Sequence, residues 1–280
     1  MKIGIIGLGI IGGSYAKALK PYGYEIVGID INQESIDYAL KNNIIDNGAT
    51  NAKDFLGECE VVFVCLYPKQ TVSFIKENIR RFKRNALIID VAGIKRKMID
   101  RLEMYFDDEL EFVFTHPIAG SEKTGIQNSD AKIFKDANFI ITPHRKNDDE
   151  KVNVVKTFAK QIGFGKITLI DDVTHDKMIA FTSQLTHAIA VSLVNSDPYH
   201  LNTSSFIGDS YKDLTRIAMI NDALWTELFI ENKDFLTQTL DSFIEQTTIL
   251  RDALKTKDID TLQSIMKKST TIRKGMKNEK

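Results

Sequence analysis

The chain of 280 residues carries 37 Lys and Arg against 38 Asp and Glu, a formal net charge of −1, with 43% hydrophobic and 27% charged residues. That balance offers no bulk attraction to nucleic acid or to a membrane surface, and the composition excludes disordered and fibrous classes. Two domains are expected, since single cores stop growing at roughly 250 residues, and no run of consecutive apolar residues approaches the roughly 18 needed to cross a bilayer.

Ile3 to Ile6 reads as a first strand directly after Met1 and Lys2. It leaves no room for a signal peptide and predicts a cytoplasmic protein. The segment Gly7-Leu8-Gly9-Ile10-Ile11-Gly12 then fits G-x-G-x-x-G between that strand and a helix predicted over Ile11 to Leu19. The next strand, Glu25 to Asp30, ends in an acid 18 residues past Gly12. Strand, glycine turn, helix and acid together are the dinucleotide-binding arrangement. Gly7 permits the tight turn, Gly9 lets the backbone approach a pyrophosphate, and Gly12 lets the helix pack against the strand. Around the start of the helix, Ile10 and Ile11 are expected to offer backbone N–H groups to the phosphates, with Leu8 in the turn itself. Asp30 can accept from both ribose hydroxyls and would repel a 2′-phosphate, so NAD is favoured over NADP.

Further apolar runs follow at Val61 to Leu66, Ala86 to Asp90, Phe112 to Thr115, Phe139 to Thr142 and Lys166 to Ile170. They alternate with amphipathic segments such as Gln33 to Lys41, Lys69 to Arg81 and Asp149 to Gln161. This rhythm predicts an α/β fold with a largely parallel sheet covered on both faces. Leu66, at the end of the third run, and Gly93, just after the fourth, are expected beside the cofactor. Cys59 and Cys65 match neither a metal pair nor a disulfide framework, and no metal is expected.

After Asp171 the pattern turns helical. Met178, Phe181, Leu185 and Ala188 recur at helical spacing in Asp172 to Asn195, as do Leu224, Leu228, Leu236, Leu240 and Phe243 later. We therefore expect a Rossmann-type NAD-binding domain over 1–171 and an all-helical domain over 172–280. The last fifteen residues hold six Lys or Arg against one Glu and read as a solvated, frayed end.

Of five histidines, His144 and His200 lie in polar connections and read as surface residues. His175, beside Asp176, reads as a local hydrogen-bonding residue. His116 differs, because it ends a predicted strand at the edge where open α/β sheets place their ligands, and Pro117 fixes the exit of the chain. An imidazole there can take the proton of an alcohol as hydride goes to a nicotinamide. Spacing alone leaves His187 a satisfied core histidine and Arg216 an ion-pair partner of Asp213.

Several stretches together resemble one family, the prephenate and arogenate dehydrogenases of tyrosine biosynthesis. They are GLGIIGGS (Gly7 to Ser14), DVAGIK (Asp90 to Lys95), HPIAGSEKTG (His116 to Gly125), SQLTHAIA (Ser183 to Ala190) and KDLTRIAMINDALWTELFIENK (Lys212 to Lys233). The resemblance implies that His116 hydrogen-bonds the ring hydroxyl of prephenate, Arg216 binds a substrate carboxylate, His187 lines the pocket and Trp225 stands near the substrate's other end. It also implies a homodimer joined through the helical domains; with no further domain after residue 280, control by a fused regulatory module is not expected. The implied reaction is NAD-dependent oxidative decarboxylation of prephenate to 4-hydroxyphenylpyruvate. Arogenate is the alternative substrate; a β-hydroxy acid dehydrogenase and a non-catalytic NAD-binding protein are remoter readings. Two departures stand out. Gly93 occupies the place of a family serine that orients the catalytic histidine, with Ser121 a candidate for the missing support, and Met219 to Ala223 lacks a proline often found before the tryptophan.

Overall fold

The apolar runs pair into one eight-stranded sheet in the order β3-β2-β1-β4-β5-β6-β7-β8. The strands are β1 (Lys2–Ile6), β2 (Glu25–Ile29), β3 (Asn47–Ala49), β4 (Val61–Val64), β5 (Ala86–Asp90), β6 (Leu110–Ile118), β7 (Asn138–Thr142) and β8 (Lys166–Leu169). The computed structural model describes residues 1–106, 110–120, 123–144, 147–197 and 203–276.

Strands β1 to β6 run parallel, and the near-continuous apolar residues of all but β3 are what burial on both faces demands. One buried cluster on this sheet includes Ile3, Ile5, Tyr15 and Phe63, and a second includes Val62, Val64, Ile88 and Phe114. Two departures from the sequence reading concern the edges. β3 escaped notice because Asn47-Gly48-Ala49 has no apolar run. β7 is antiparallel to β6, which reverses the direction of β7 and β8 relative to the other six.

Helices α1 (Ile10–Leu19), α2 (Gln33–Lys41), α3 (Pro68–Asn78), α4 (Arg96–Leu102) and α5 (Asp149–Ile162) connect the strands. Strand order reverses between β1 and β4, so the turn after β1 opens at the switch point where such sheets bind ligands.

The chain divides into two compact units, Met1–Asn232 and Lys233–Lys280. Beyond the sheet, the first unit holds α6 (Asp172–Ile179), a π-helical turn over Ala180–Gln184, α7 (Leu185–Asn195), α8 (Asp209–Thr215) and α9 (Asp222–Glu231). The expected apolar face of Asp172 to Asn195 is partly reversed: Met178 and Phe181 are 49% and 57% exposed, while His175, Asp176 and Gln184 are buried. This 24-residue stretch is also long and apolar enough, by length and composition, to cross a membrane. Counting consecutive apolar residues missed it, because polar residues are interspersed. Those buried polar groups make hydrogen bonds within the first unit, as a helix packed in a globular domain does.

The second unit pairs α10 (Lys233–Thr256) with α11 (Ile259–Gly275). Lys257 takes a positive φ of 56° at the turn, and Asp258 caps α11 by accepting from the Thr261 N–H. The basic C-terminal stretch expected to fray is helical as far as Gly275.

Candidate active site

The glycine turn is built as the motif requires. Gly7 has φ +88°, and a Cβ there would lie 2.6 Å from the Cys65 carbonyl oxygen and 2.9 Å from Leu66 Cδ2, which brings Leu66 to the turn. A Cβ on Gly12 would lie 1.9 Å from the Gly7 carbonyl oxygen, so α1 packs against the strand end at glycine distance. Around Gly9, by contrast, a Cβ would meet nothing within 4 Å. Gly9 is also the N-cap of α1, which has no capping side chain and no acid in its first turn. The positive end of the helix therefore faces an open space, as a pyrophosphate requires. The side chains of Leu8 and Ile10 are buried, so these residues offer a ligand their backbone only. Asp30 is half-buried; its carboxylate accepts from the Leu8 N–H at 2.6 Å and the Asn32 N–H at 2.8 Å. One acid thus ties the glycine turn to the end of β2, at the position from which it can also reach a ribose. The residues fit a dinucleotide.

Along the same sheet edge, β5 ends in Asp90, which is 2% exposed. Its carboxylate accepts from the N–H groups of Ala92 and Thr115 and from Lys95 Nζ at 2.6 Å. Lys95, 0% exposed, also donates to the Ala92 carbonyl. Burial pushes the Asp90 carboxyl up and the Lys95 ammonium down, each opposed by the other's charge. The pair folds Val91 to Ile94 into a tight loop and so brings Gly93 against His116: a Cβ on Gly93 would lie 3.6 Å from His116 Nε2. His116 Nδ1 lies 2.9 Å from His175 Nε2, with the rings tilted at 63°. His175 Nδ1 lies 2.7 Å from Asp176 Oδ1. Burial holds the His116 imidazole well below its ordinary pKa and also lowers that of His175; His175 and Lys95 lower His116 further, and Asp176 partly offsets the effect at His175. A neutral imidazole is what a base needs to be.

The helical elements bring a second group together. His187 and Trp225 stack with ring centroids 3.6 Å apart at 27°. His187 Nδ1 donates to the Ser183 carbonyl at 2.8 Å. Three residues beyond Trp225 on α9, Leu228 reaches toward Gly93, 3.6 Å from its Cβ position. The Leu228 carbonyl accepts from Gln184 Nε2 at 3.0 Å. Asn221 caps α9 by accepting from the Leu224 N–H and donates to Tyr67 Oη at 3.1 Å. Glu227 accepts from the Lys69 N–H at 2.6 Å. α9 is thereby fastened to the turn after β4. Arg216 is exposed and opens the short helix Arg216–Ala218, which packs on α7, the helix that carries His187.

Of the residues singled out from sequence, His116 and Gly93 thus meet at the sheet edge, His187 and Trp225 meet on the helical side, and Leu228 links the two groups. Ser121 and His200 lie outside the described residues. His144 is not a surface ring: its side chain is 8% exposed and packs edge-on to Phe106, with centroids 4.4 Å apart. The residue that sequence reasoning undervalued is His175. Its neighbour Asp176 was the available signal, and the 59-residue separation from His116 hid the contact.

An edge of this kind can take a proton from an alcohol while a nicotinamide beside it receives the hydride; the chain is an NAD-dependent dehydrogenase. It belongs to the prephenate dehydrogenase family. Residues 15–169 match the family described as prephenate dehydrogenase, nucleotide-binding domain, and residues 171–268 that described as prephenate dehydrogenase, dimerization domain. The chain is 29% identical over 279 residues to a prephenate dehydrogenase of Bacillus subtilis, covering 97% of this chain and 75% of that one. It is 30% identical over 285 residues to a cyclohexadienyl dehydrogenase of Zymomonas mobilis, covering 99% and 96%. Among solved structures, prephenate dehydrogenase from A. aeolicus in complex with hydroxyphenyl propionate and NAD+ is similar with a TM-score of 0.89 at 28% identity, covering 99% of this chain and 98% of that one.

Proposed function

We propose that this chain oxidises prephenate with NAD, releasing carbon dioxide and 4-hydroxyphenylpyruvate, in tyrosine biosynthesis. The observation that carries the reading is the His116 imidazole, neutral, held through Nδ1, with Nε2 turned toward the space that Gly93 leaves unfilled. When bound, NAD supplies the hydride acceptor. The chain supplies the rest. Gly9, Ile10 and Ile11 would receive the pyrophosphate at the helix terminus, with Gly7, Leu8 and Gly12 shaping the turn; Asp30 would take the ribose hydroxyls, and Leu66 and Gly93 would border the nicotinamide. His116 removes the ring-hydroxyl proton as hydride departs from the carbon that bears the hydroxyl, loss of the ring carboxylate as carbon dioxide completes the aromatic ring, and the proton returns to the phenolate oxygen. Aromatisation makes the step strongly downhill, so orientation and one base suffice. Arg216 binds a substrate carboxylate through its planar guanidinium, and the His187–Trp225 stack walls the pocket.

The division of labour we favour is nucleotide binding over 1–171 and substrate binding with dimerisation over 172–280. The exposed Met178 and Phe181 support a homodimer seated on the helical part. Such an enzyme works in the cytoplasm on a small-molecule substrate and needs neither nucleic acid nor membrane.

The test is NADH formation from prephenate, with arogenate assayed beside it, for wild type and His116→Asn. Wild type is expected to turn over prephenate faster than arogenate, and His116→Asn to lose about 10²- to 10⁴-fold in kcat, the usual worth of a general base. NADH formation from neither substrate would refute the reading.

A further inference from the structure

Gly93 has no side chain with which to fasten the His116 ring. The ring is fastened from its other side. The Asp176 carboxylate accepts from the backbone N–H groups of Lys95 at 2.9 Å and Arg96 at 3.0 Å. The Asp176 carbonyl accepts from Asn232 Nδ2 at 2.8 Å, and Asn232 is itself bonded to Gln184. His175 and Asp176 are 1% and 2% exposed, so no bulk water competes for these bonds.

Counting donors fixes the direction of every bond. A carboxylate that already receives two N–H groups is an acceptor toward the imidazole too, so the proton in the 2.7 Å contact sits on His175 Nδ1. Neutral His175 then has an acceptor at Nε2, and His116 must donate to it from Nδ1 across 2.9 Å. His116 Nε2 is left without a proton on the side that faces Gly93.

We propose that His175, anchored by Asp176, is a positioning residue that locks His116 in its Nδ1–H form and thereby selects Nε2 as the proton acceptor. The inference rests on the reading of His116 as the base. During turnover the substrate O–H bond breaks and a bond from its proton to His116 Nε2 forms, while the electron pair of the C–H bond leaves as hydride to NAD. The Nδ1–H bond to His175 is kept throughout, and the positive charge on His116 is connected through His175 to the Asp176 carboxylate. The groups facing the pair are Asp176 on α6, Asp90 at the end of β5 and Lys95 in the loop after it; Asp176 and Asp90 favour charge on His175, and Lys95 opposes charge on both rings. A hydroxyl at position 93 is unnecessary in this arrangement, and its absence leaves room beside Nε2.

Two measurements on the full chain test this. In the ¹⁵N-histidine-labelled wild-type protein, NMR at mildly alkaline pH is expected to show His116 protonated at Nδ1 and bare at Nε2; the opposite tautomer overturns the proposal, whatever any variant does. In kinetics, His175→Leu removes the acceptor and is expected to lower kcat about 100-fold, within the range of base catalysis, with KM for prephenate and NAD affinity changed less than about 3-fold. His175→Gln, whose amide oxygen can still accept from His116 Nδ1, is expected to recover most of that loss. A His175→Leu enzyme with near wild-type kcat beside an inactive His116→Asn, or a Gln variant no better than Leu, overturns the positioning role while sparing the base. Turnover by His116→Asn overturns the base and the positioning role together.

Discussion

Two glycines in the same turn should fail in opposite ways. At Gly12 a methyl group would be placed 1.9 Å from the Gly7 carbonyl oxygen, a backbone atom that no rotamer change can move aside. Gly12→Ala must therefore shift α1 off β1, an overpacking defect worth about 1–3 kcal/mol. For a domain of this size that lowers Tm by roughly 2–4 °C per kcal/mol, or about 2–12 °C. At Gly9 the same methyl meets nothing within 4 Å, so the fold should tolerate Gly9→Ala nearly unchanged. The space it fills, however, is where the pyrophosphate must approach the helix terminus, and NAD affinity should fall about 10- to 100-fold, or about 1.4–2.8 kcal/mol. Thermal unfolding without cofactor, followed by calorimetric titration with NAD, separates the two effects. If Gly9→Ala binds NAD like wild type, or if it unfolds as early as Gly12→Ala, the assignment of the phosphate site to this turn is wrong.

Other expectations concern charge. Lys95→Met strands the Asp90 carboxylate in the interior, and breaking a buried pair in this way should cost about 3–5 kcal/mol, read as a fall in the denaturant midpoint. Because burial holds the His116 pKa well below 6.5, kcat with saturating substrate should stay level from pH 8 down to 6.5 and fall only at lower pH; an acid limb centred above 6.5 would contradict the neutral, buried base. The same depression makes stability pH-dependent. The unfolded chain takes up protons first, so the contribution of His116 and His175 is fully present above about pH 6.5 and is lost as pH falls through their lowered folded values, measurable by chemical denaturation across that range. Asp30→Ala removes both the repulsion of a 2′-phosphate and the acceptor for the Leu8 N–H; the NAD-to-NADP ratio of kcat/KM should fall at least about 10-fold, equivalent to about 1.4 kcal/mol, and an unchanged ratio would remove Asp30 from cofactor selection. Arg216→Ala should raise KM for prephenate far more than it lowers kcat.

The strands with Val, Ile and Phe in unbroken runs were legible because burial on both faces leaves no other composition open to them. β3 was not, since three residues without a large apolar side chain carry no period to read. The glycine turn and Asp30 were legible because backbone sterics dictate glycine at fixed offsets. On the helical side, a uniform period placed Met178 and Phe181 inward, whereas the helix changes its winding at Ala180–Gln184 and turns them out. His116 announced itself by following an apolar run and preceding Pro117, although β6 continues through both to Ile118 and so carries His116 beyond the end of β5. His175 did not, since a contact between side chains 59 residues apart depends on how α6 docks beside α4, which no local pattern encodes.

The π turn between α6 and α7 has a geometric consequence for the two imidazoles that flank it. His175 and His187 are twelve residues apart in the sequence. In an unbroken α-helix that separation would point them about 120° apart, with one toward the sheet and the other aside. A π turn absorbs one more residue than an α turn, which brings the angle back to about 20°. A single helical rod can therefore present one histidine to His116 and the other to Trp225 along a common line. The turn takes up its extra residue without changing the phase, so a one-residue deletion within Ala180–Gln184 that restores a plain α-helix should leave the two histidines eleven residues apart and still about 20° from alignment.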